Sequence, residues 1–176
     1  LGRLSGVATL TAAYVEETAG TSTRIAATRK TTPGLRALEK RAVIDGGGIP
    51  HRFGLFDGVM VKDNHVAAAG GVLAAAALIR AQAPHAHGFE IEVDRLDQIE
   101  DALQAHPDVI LLDNMDVATV REAVRRINRR AIVEVSGGVS LERVREFAAC
   151  GVDVISVGAL TTRAPWIDVA LDMATH

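Results

Sequence analysis

The sequence predicts a parallel α/β barrel, and three observations carry that expectation. Short apolar runs recur about every twenty residues, the length of one strand and its helix, which argues for a parallel sheet. Apolar residues make up 48% of the chain and aromatics only 3%. The core is therefore built from Ala, Val, Leu and Ile, as suits buried parallel strands under helices. The glycine turns come late. A doubly wound sheet carries its glycine-rich phosphate loop after the first strand, whereas barrels often hold phosphate in their last loops.

The elements follow in order. Residues 4–17 form an amphipathic helix with small residues on one face. Residues 24–28 make a strand leading into Arg29-Lys30, and residues 35–42 a helix of good formers. Gly46-Gly47-Gly48 interrupts the pattern before His51-Arg52, and a seventh strand is expected near Ile49 beside six clear ones. Gly58-Val59-Met60-Val61 ends in Lys62-Asp63-Asn64-His65, followed by one alanine-rich helix over residues 67–83. Phe89-Glu90-Ile91-Glu92-Val93 is a strand, with a charged helical stretch through Leu103 after it. Val109-Ile110-Leu111-Leu112 ends at Asp113 and precedes a helix over residues 117–128. Ala131-Ile132-Val133-Glu134-Val135 ends at Ser136-Gly137-Gly138. Ser140 caps a helix reaching Ala149, with Gly151 just past its end. Val154-Ile155-Ser156-Val157 ends at Gly158.

Composition excludes several classes. A net charge of −3 gives no nucleic-acid footprint. The apolar stretch 72–79 is too short to span a bilayer, and no basic-then-apolar signal pattern opens the sequence. A lone cysteine, Cys150, forms no internal disulfide and fits a reducing, cytoplasmic setting. The opening Leu1-Gly2-Arg3-Leu4-Ser5-Gly6 lacks an initiator Met and reads as the start of a segment cut from a longer chain.

Polar residues cluster at strand ends, which a parallel barrel brings to one rim. Arg29 and Lys30, with hydroxyls of Thr28, Thr31 and Thr32 beside them, are joined by His51, Arg52 and Lys62. Such a field calls for a polyanion, with guanidinium forks suited to carboxylates and lysine to point-charge contacts. Arg36, Lys40 and Arg41 read instead as a helix surface paired with Glu39 or Asp57. Glu92 and Asp113 end successive strands and are expected as rim neighbours. They could hold Mg2+ directly or through water, bind ribose hydroxyls, stabilise charge on a sugar carbon, or simply pair with Lys30 and Lys62. Glu90 shares a face with Glu92, and its role stays open. Ser136-Gly137-Gly138 and Gly158-Ala159 offer backbone N–H groups to a phosphate, with the helix after Ser140 directing its positive end there.

Taken in order, Leu4-Ser5-Gly6-Val7-Ala8-Thr9, Thr28-Arg29-Lys30-Thr31-Thr32-Pro33-Gly34-Leu35-Arg36, Gly46-Gly47-Gly48 with His51-Arg52, Lys62-Asp63-Asn64-His65, Leu112-Asp113-Asn114 and Ser136-Gly137-Gly138 closely resemble the quinolinate phosphoribosyltransferase family. The match covers essentially the whole chain. A molybdenum-associated paralogue family shares the first basic segment but lacks Lys-Asp-Asn-His. The resemblance implies an incomplete, about seven-stranded TIM-like barrel, making residues 1–176 one catalytic domain. It implies quinolinate and phosphoribosyl pyrophosphate as substrates, Mg2+ as cofactor, and nicotinate mononucleotide, pyrophosphate and CO2 as products. It assigns quinolinate to Thr28, Arg29, His51, Arg52 and Lys62. It assigns phosphoribosyl pyrophosphate to Lys30, Glu92, Asp113, Ser136, Gly137, Gly138, Gly158 and Ala159, with Glu92 and Asp113 towards the metal. Lys30, Lys62, Glu92 and Asp113 are the catalytic candidates.

Two departures qualify this. The resemblance also implies an N-terminal sandwich domain, which in family dimers covers the partner's site and lends it an arginine, and that domain is expected to lie outside residues 1–176. A homodimer or higher assembly is expected, and this stretch alone could be an impaired barrel that binds only phosphate or a partner chain. Thr162 stands where the family often has His, which removes one expected phosphate contact.

Overall fold

A computed structural model describes residues 1–85 and 87–173. In chain order the elements are α1 (Gly2–Glu16), β1 (Arg24–Ala26), α2 (Arg36–Asp45), β2 (Val59–Val61), α3 (Asp63–Ala69), α4 (Val72–Arg80), β3 (Phe89–Val93), α5 (Ile99–Gln104), β4 (Val109–Asp113), α6 (Val117–Ile127), β5 (Ile132–Ser136), α7 (Leu141–Ala148), β6 (Val154–Ser156) and α8 (Ala159–Thr162). All strand pairs are parallel, in the order β1-β6-β5-β4-β3-β2.

The first strand thus lies beside the last, as a curled sheet requires. On the free side of β1, Ile49 makes a single parallel bridge to Ala26. Its N–H donates to the Ile25 carbonyl at 2.8 Å, and its carbonyl accepts from Ala27 N–H at 2.9 Å. The seventh strand expected near Ile49 shrinks to this bridge. Pro50 has no N–H to extend the ladder, and three glycines precede it. The ring stays open between this segment and β2, giving an incomplete α/β barrel.

Strand register sorts the side chains into two faces. Val61, Ile91, Val93, Ile110, Leu112, Val133, Val135 and Ile155 share the outer face and are buried. Helices cover them with stripes at helical spacing: Val120, Ala123 and Ile127 from α6, and Val144, Phe147 and Ala148 from α7. Burying a side chain such as Phe147 contributes roughly 2–3 kcal/mol. Helix α1 packs so closely on the chain's last described stretch that a Cβ on Gly6 would collide with the Pro165 carbonyl oxygen. Among the described residues, no helix is long and apolar enough to cross a membrane.

Several local expectations need correction. The helix over residues 67–83 is two helices, α3 and α4, broken at Gly70 and Gly71. Gly70 is left-handed at φ 82° and Gly71 sits at φ 153°, conformations no helix continues through. The charged stretch after β3 starts as a 3-10 turn, Leu96–Gln98. Ser140 occupies the N-cap position of α7, but its hydroxyl makes no capping bond. Asp116 is the working cap, accepting from Thr119 N–H at 2.8 Å to start α6.

Candidate active site

The inner face of the sheet carries Met60, Glu90, Glu92, Leu111, Asp113, Glu134, Ser136 and Ser156, by the same register that sends the apolar set outward. The carboxylates lie at three heights. Glu90 pairs in register with Val109, Glu92 with Leu111 and Leu111 with Glu134, and Asp113 with Ser136 at the top. Glu92 and Asp113 therefore share a face on adjacent strands, with Asp113 one layer nearer the C-terminal mouth.

The cationic loop after β1 is tightly built. Thr28 Oγ1 accepts from Lys30 N–H at 3.1 Å. Arg36 donates to Thr31 Oγ1 at 2.9 Å and to the Arg29 carbonyl at 3.1 Å. Thr161 Oγ1 donates to the Lys30 carbonyl at 2.5 Å. Lys30 is exposed, with its stem across Gly158, where an added Cβ would lie 3.4 Å from Lys30 Cδ. The Nε of Arg29 is buried with no partner among the described residues.

Behind this loop, the surface pairing expected for α2 is largely replaced by burial. Glu39 is fully buried, accepts from Thr32 through both its N–H and hydroxyl, and pairs with Arg3 at 2.8 Å. Burial pushes its carboxyl up, but the hydrogen bonds from Thr32 and the Arg3 guanidinium leave it below the ordinary value. Lys40 is also buried and donates to the carbonyls of Pro50 and His51. Loss of hydration, with help from the Arg36 charge, lowers its pKa to about 8. Only Arg41 behaves as expected of a surface cation, pairing with Asp45 at 2.8 Å.

Lys62 opens α3 and reaches across to β3, where its Nζ meets Glu92 Oε2 at 2.5 Å. The rest of the Lys62-Asp63-Asn64-His65 segment serves the helix start: His65 Nδ1 accepts from Lys62 N–H at 3.0 Å, and Asp63 Oδ1 from Asn64 N–H at 2.7 Å. Asp113 accepts from Asn114 Nδ2 at 2.7 Å. Next to it, Gly137 and Gly138 are left-handed at φ 94° and 59°. Gly137 is pressed on the Asn114 side chain, so that any Cβ would collide with it. This turn leads into the N-terminus of α7, a donor-rich end suited to an anion. Gly158 and Ala159 begin α8 at the end of β6, and Thr162 Oγ1 is spent on the Gly158 carbonyl at 3.0 Å.

Sequence reasoning missed Glu134 and the buried cluster it forms with His51 and Glu90. His51 Nε2 lies 3.2 Å from Glu134 Oε1 and 3.8 Å from Glu90 Oε2, and Ser156 Oγ donates to Glu134 Oε1 at 2.5 Å. Among the described residues His51, Glu90 and Glu134 form a group of three His and carboxylate side chains close enough together to hold a metal. The signal was present: Glu134 interrupts an apolar run with the parity of Ser136. Burial opposes protonation of His51, but the hydrogen bond and charge of Glu134 outweigh it and raise the pKa. Burial, then the Glu134 charge, raises Glu90 to about 8 despite His51 and Arg52. A proton retained by the fold while the unfolded chain releases it makes stability fall as pH climbs from about 4.5 to about 8. Glu90→Gln lacks that loss, so its melting temperature relative to the parent should be higher at about pH 8 than at about pH 5. A difference constant across that range, read by calorimetry, would show Glu90 to be ionised in the fold.

A separate surface hollow of about 380 Å³, lined by Arg3, Thr32, Thr161 and Trp166 among others, includes none of the predicted site residues.

Comparison with known proteins bears on the fold and the family. Residues 7–172 match the family model described as quinolinate phosphoribosyl transferase, C-terminal domain. The chain is 48% identical over 173 residues to a nicotinate-nucleotide pyrophosphorylase [carboxylating] of Mycobacterium leprae, covering 97% of this chain and 61% of that protein. It is 40% identical over 178 residues to the human protein of the same name, covering 98% and 60%. The crystal structure of nicotinate-nucleotide pyrophosphorylase from Ehrlichia chaffeensis superposes with a TM-score of 0.94 at 41% identity, over 98% of this chain and 62% of that one. The chain thus spans about three fifths of the length of these relatives. A barrel with its polar face turned inward, matched by this family's own C-terminal domain from residue 7 to residue 172, belongs to the quinolinate phosphoribosyl transferase family.

Proposed function

We propose that this chain carries the site at which a phosphoribosyl group passes from phosphoribosyl pyrophosphate to quinolinate, in NAD biosynthesis. The observation that supports this most is the inner face itself. Glu92, Asp113 and Ser136 stack along it, the glycine turn closes one side, and Lys62 reaches across to Glu92. A dicarboxylate and a pyrophosphate repel each other, so bringing them together calls for such a cation-rich mouth.

In this reading Arg29, Arg52 and Lys62 hold the two carboxylates, with Thr28 shaping the loop. Lys30, Glu92 and Asp113 attend the ribose and pyrophosphate, and Ser136, Gly137, Gly138, Gly158 and Ala159 the 5′-phosphate. The bond from C1′ to pyrophosphate breaks as the ring nitrogen bonds to C1′. The acids stabilise the positive charge on the sugar. The pyridinium then takes up the electron pair of the adjacent carboxylate bond, CO2 departs, and a proton replaces it to give nicotinate mononucleotide.

Mg2+ fits Glu92 and Asp113. Lys62 engages one oxygen of Glu92 and Asn114 one of Asp113, leaving oxygen donors of the kind this ion prefers. When bound, it would neutralise charge on the pyrophosphate. A homodimer and a cytoplasmic setting belong to the same proposal, supported by the family membership and by the free, buried Cys150.

Calorimetry with quinolinate and with nicotinate tests the reading. A site built for two carboxylates should bind quinolinate at least about ten-fold more tightly, since nicotinate leaves cations unpaired. Equal affinities would overturn it.

A further inference from the structure

The buried group beneath the mouth does more than fill space. His51 has a left-handed backbone, φ 50°, unusual for a residue with a side chain. Both of its ring nitrogens are committed within the protein. Nδ1 accepts the Arg52 N–H at 2.7 Å, and a nitrogen that accepts carries no proton. The proton therefore sits on Nε2, facing Glu134 Oε1 at 3.2 Å. Glu134 is fixed from the far side by the Ser156 hydroxyl, and both residues are buried. Lys40 holds the carbonyls of Pro50 and His51. Arg52 in turn spends single N–H groups on the Gly58 carbonyl at 3.2 Å and Met60 Sδ at 3.3 Å. The remainder of its fork stays available.

We infer that Glu134, anchored by Ser156, is a positioning residue: it locks the His51 ring, and His51 sets the Arg52 backbone so that the guanidinium meets the substrate's carboxylates. This rests on the quinolinate reading above and changes it in one respect. His51 has no free nitrogen to offer, so it acts through Arg52 rather than by touching substrate. Two further observations favour a functional bracket over a chance polar contact. A buried carboxylate pair is costly to retain, and hydrophobic packing could replace it. Among the described residues, Arg29 Nε and Glu90 Oε1 are also buried without hydrogen-bond partners, so polar capacity beside the bracket is not used within the fold. The charged groups facing His51 are Glu90 on β3, Glu134 on β5, and Lys40 from α2.

The test uses the full-length protein with Glu134→Gln and, as a milder change that removes only a hydroxyl, Ser156→Ala. Both should raise the KM for quinolinate, Glu134→Gln by about ten-fold, with the KM for phosphoribosyl pyrophosphate within about two-fold of the parent. Nitrogen NMR of the ligand-free parent should show the His51 proton on Nε2, and in Glu134→Gln that signal should broaden or move. A lower melting temperature with unmoved constants, or equal weakening of both substrates, would reduce Glu134 to a structural residue and overturn the inference. If the parent itself binds no quinolinate, the functional proposal fails instead. The tautomer then decides the positioning claim alone, and a proton on Nδ1 contradicts it.

Discussion

Lys62→Ala should lower turnover of quinolinate by about two to three orders of magnitude, with Arg52→Ala close behind. Lys62 has two tasks that alanine cannot share. It supplies positive charge where the two anionic substrates meet, and it neutralises Glu92, which is buried and lies 2.5 Å from its ammonium. Without it, Glu92 becomes an unpaired buried acid that repels both the pyrophosphate and the carboxylates. The loss should therefore fall on kcat as well as on KM. Arg52→Ala removes a fork held over Met60 and Gly58, and its loss should fall mainly on the quinolinate KM. Steady-state kinetics with each substrate varied separates the two. Near-parental values for either variant would remove that residue from the site.

Gly137→Ala should be the most damaging single methyl group in the barrel mouth. Its φ of 94° is one that residues with side chains rarely adopt, and a Cβ would collide with the Asn114 side chain. Strain and collision together should cost about 2–4 kcal/mol, visible as a lower urea midpoint. Asn114 holds Asp113, and its N–H bonds the Ser136 carbonyl at 2.9 Å. The damage should therefore spread from the glycine turn to the neighbouring acid. The KM for phosphoribosyl pyrophosphate should rise at least about ten-fold, with quinolinate less affected. Gly138→Ala makes the contrast, because its left-handed φ of 59° has open space around it. Strain alone then acts, so the stability loss should be smaller.

The strand ends were legible because a parallel barrel needs apolar runs punctuated by polar residues at one end, and Lys62, Asp113 and Gly158 supply that punctuation. The inside of the barrel was less so. Glu134 was absorbed into an apolar run because its neighbours Val133 and Val135 point the other way, towards the helices. Its partners Ser156 and His51 are remote in sequence, and no local pattern pairs them. The same holds for Glu39, which looks like a surface helix residue until Arg3, 36 positions away, folds over it. The break at Gly70-Gly71 was masked by strong helix formers on both sides. The seventh strand expected near Ile49 is cut to one rung, because Pro50 has no N–H to continue the ladder.

The account's central claim is that cations, acids and glycine turns from distant parts of the chain serve one ligand-filled mouth. A crystal structure with quinolinate and a non-reacting phosphoribosyl pyrophosphate analogue tests it most directly. The expected result is carboxylates on Arg52 and Lys62, and the 5′-phosphate on Gly137 and Gly158, within the same opening. Quinolinate bound instead in the hollow beside Trp166, or the two ligands on separate faces, would contradict it.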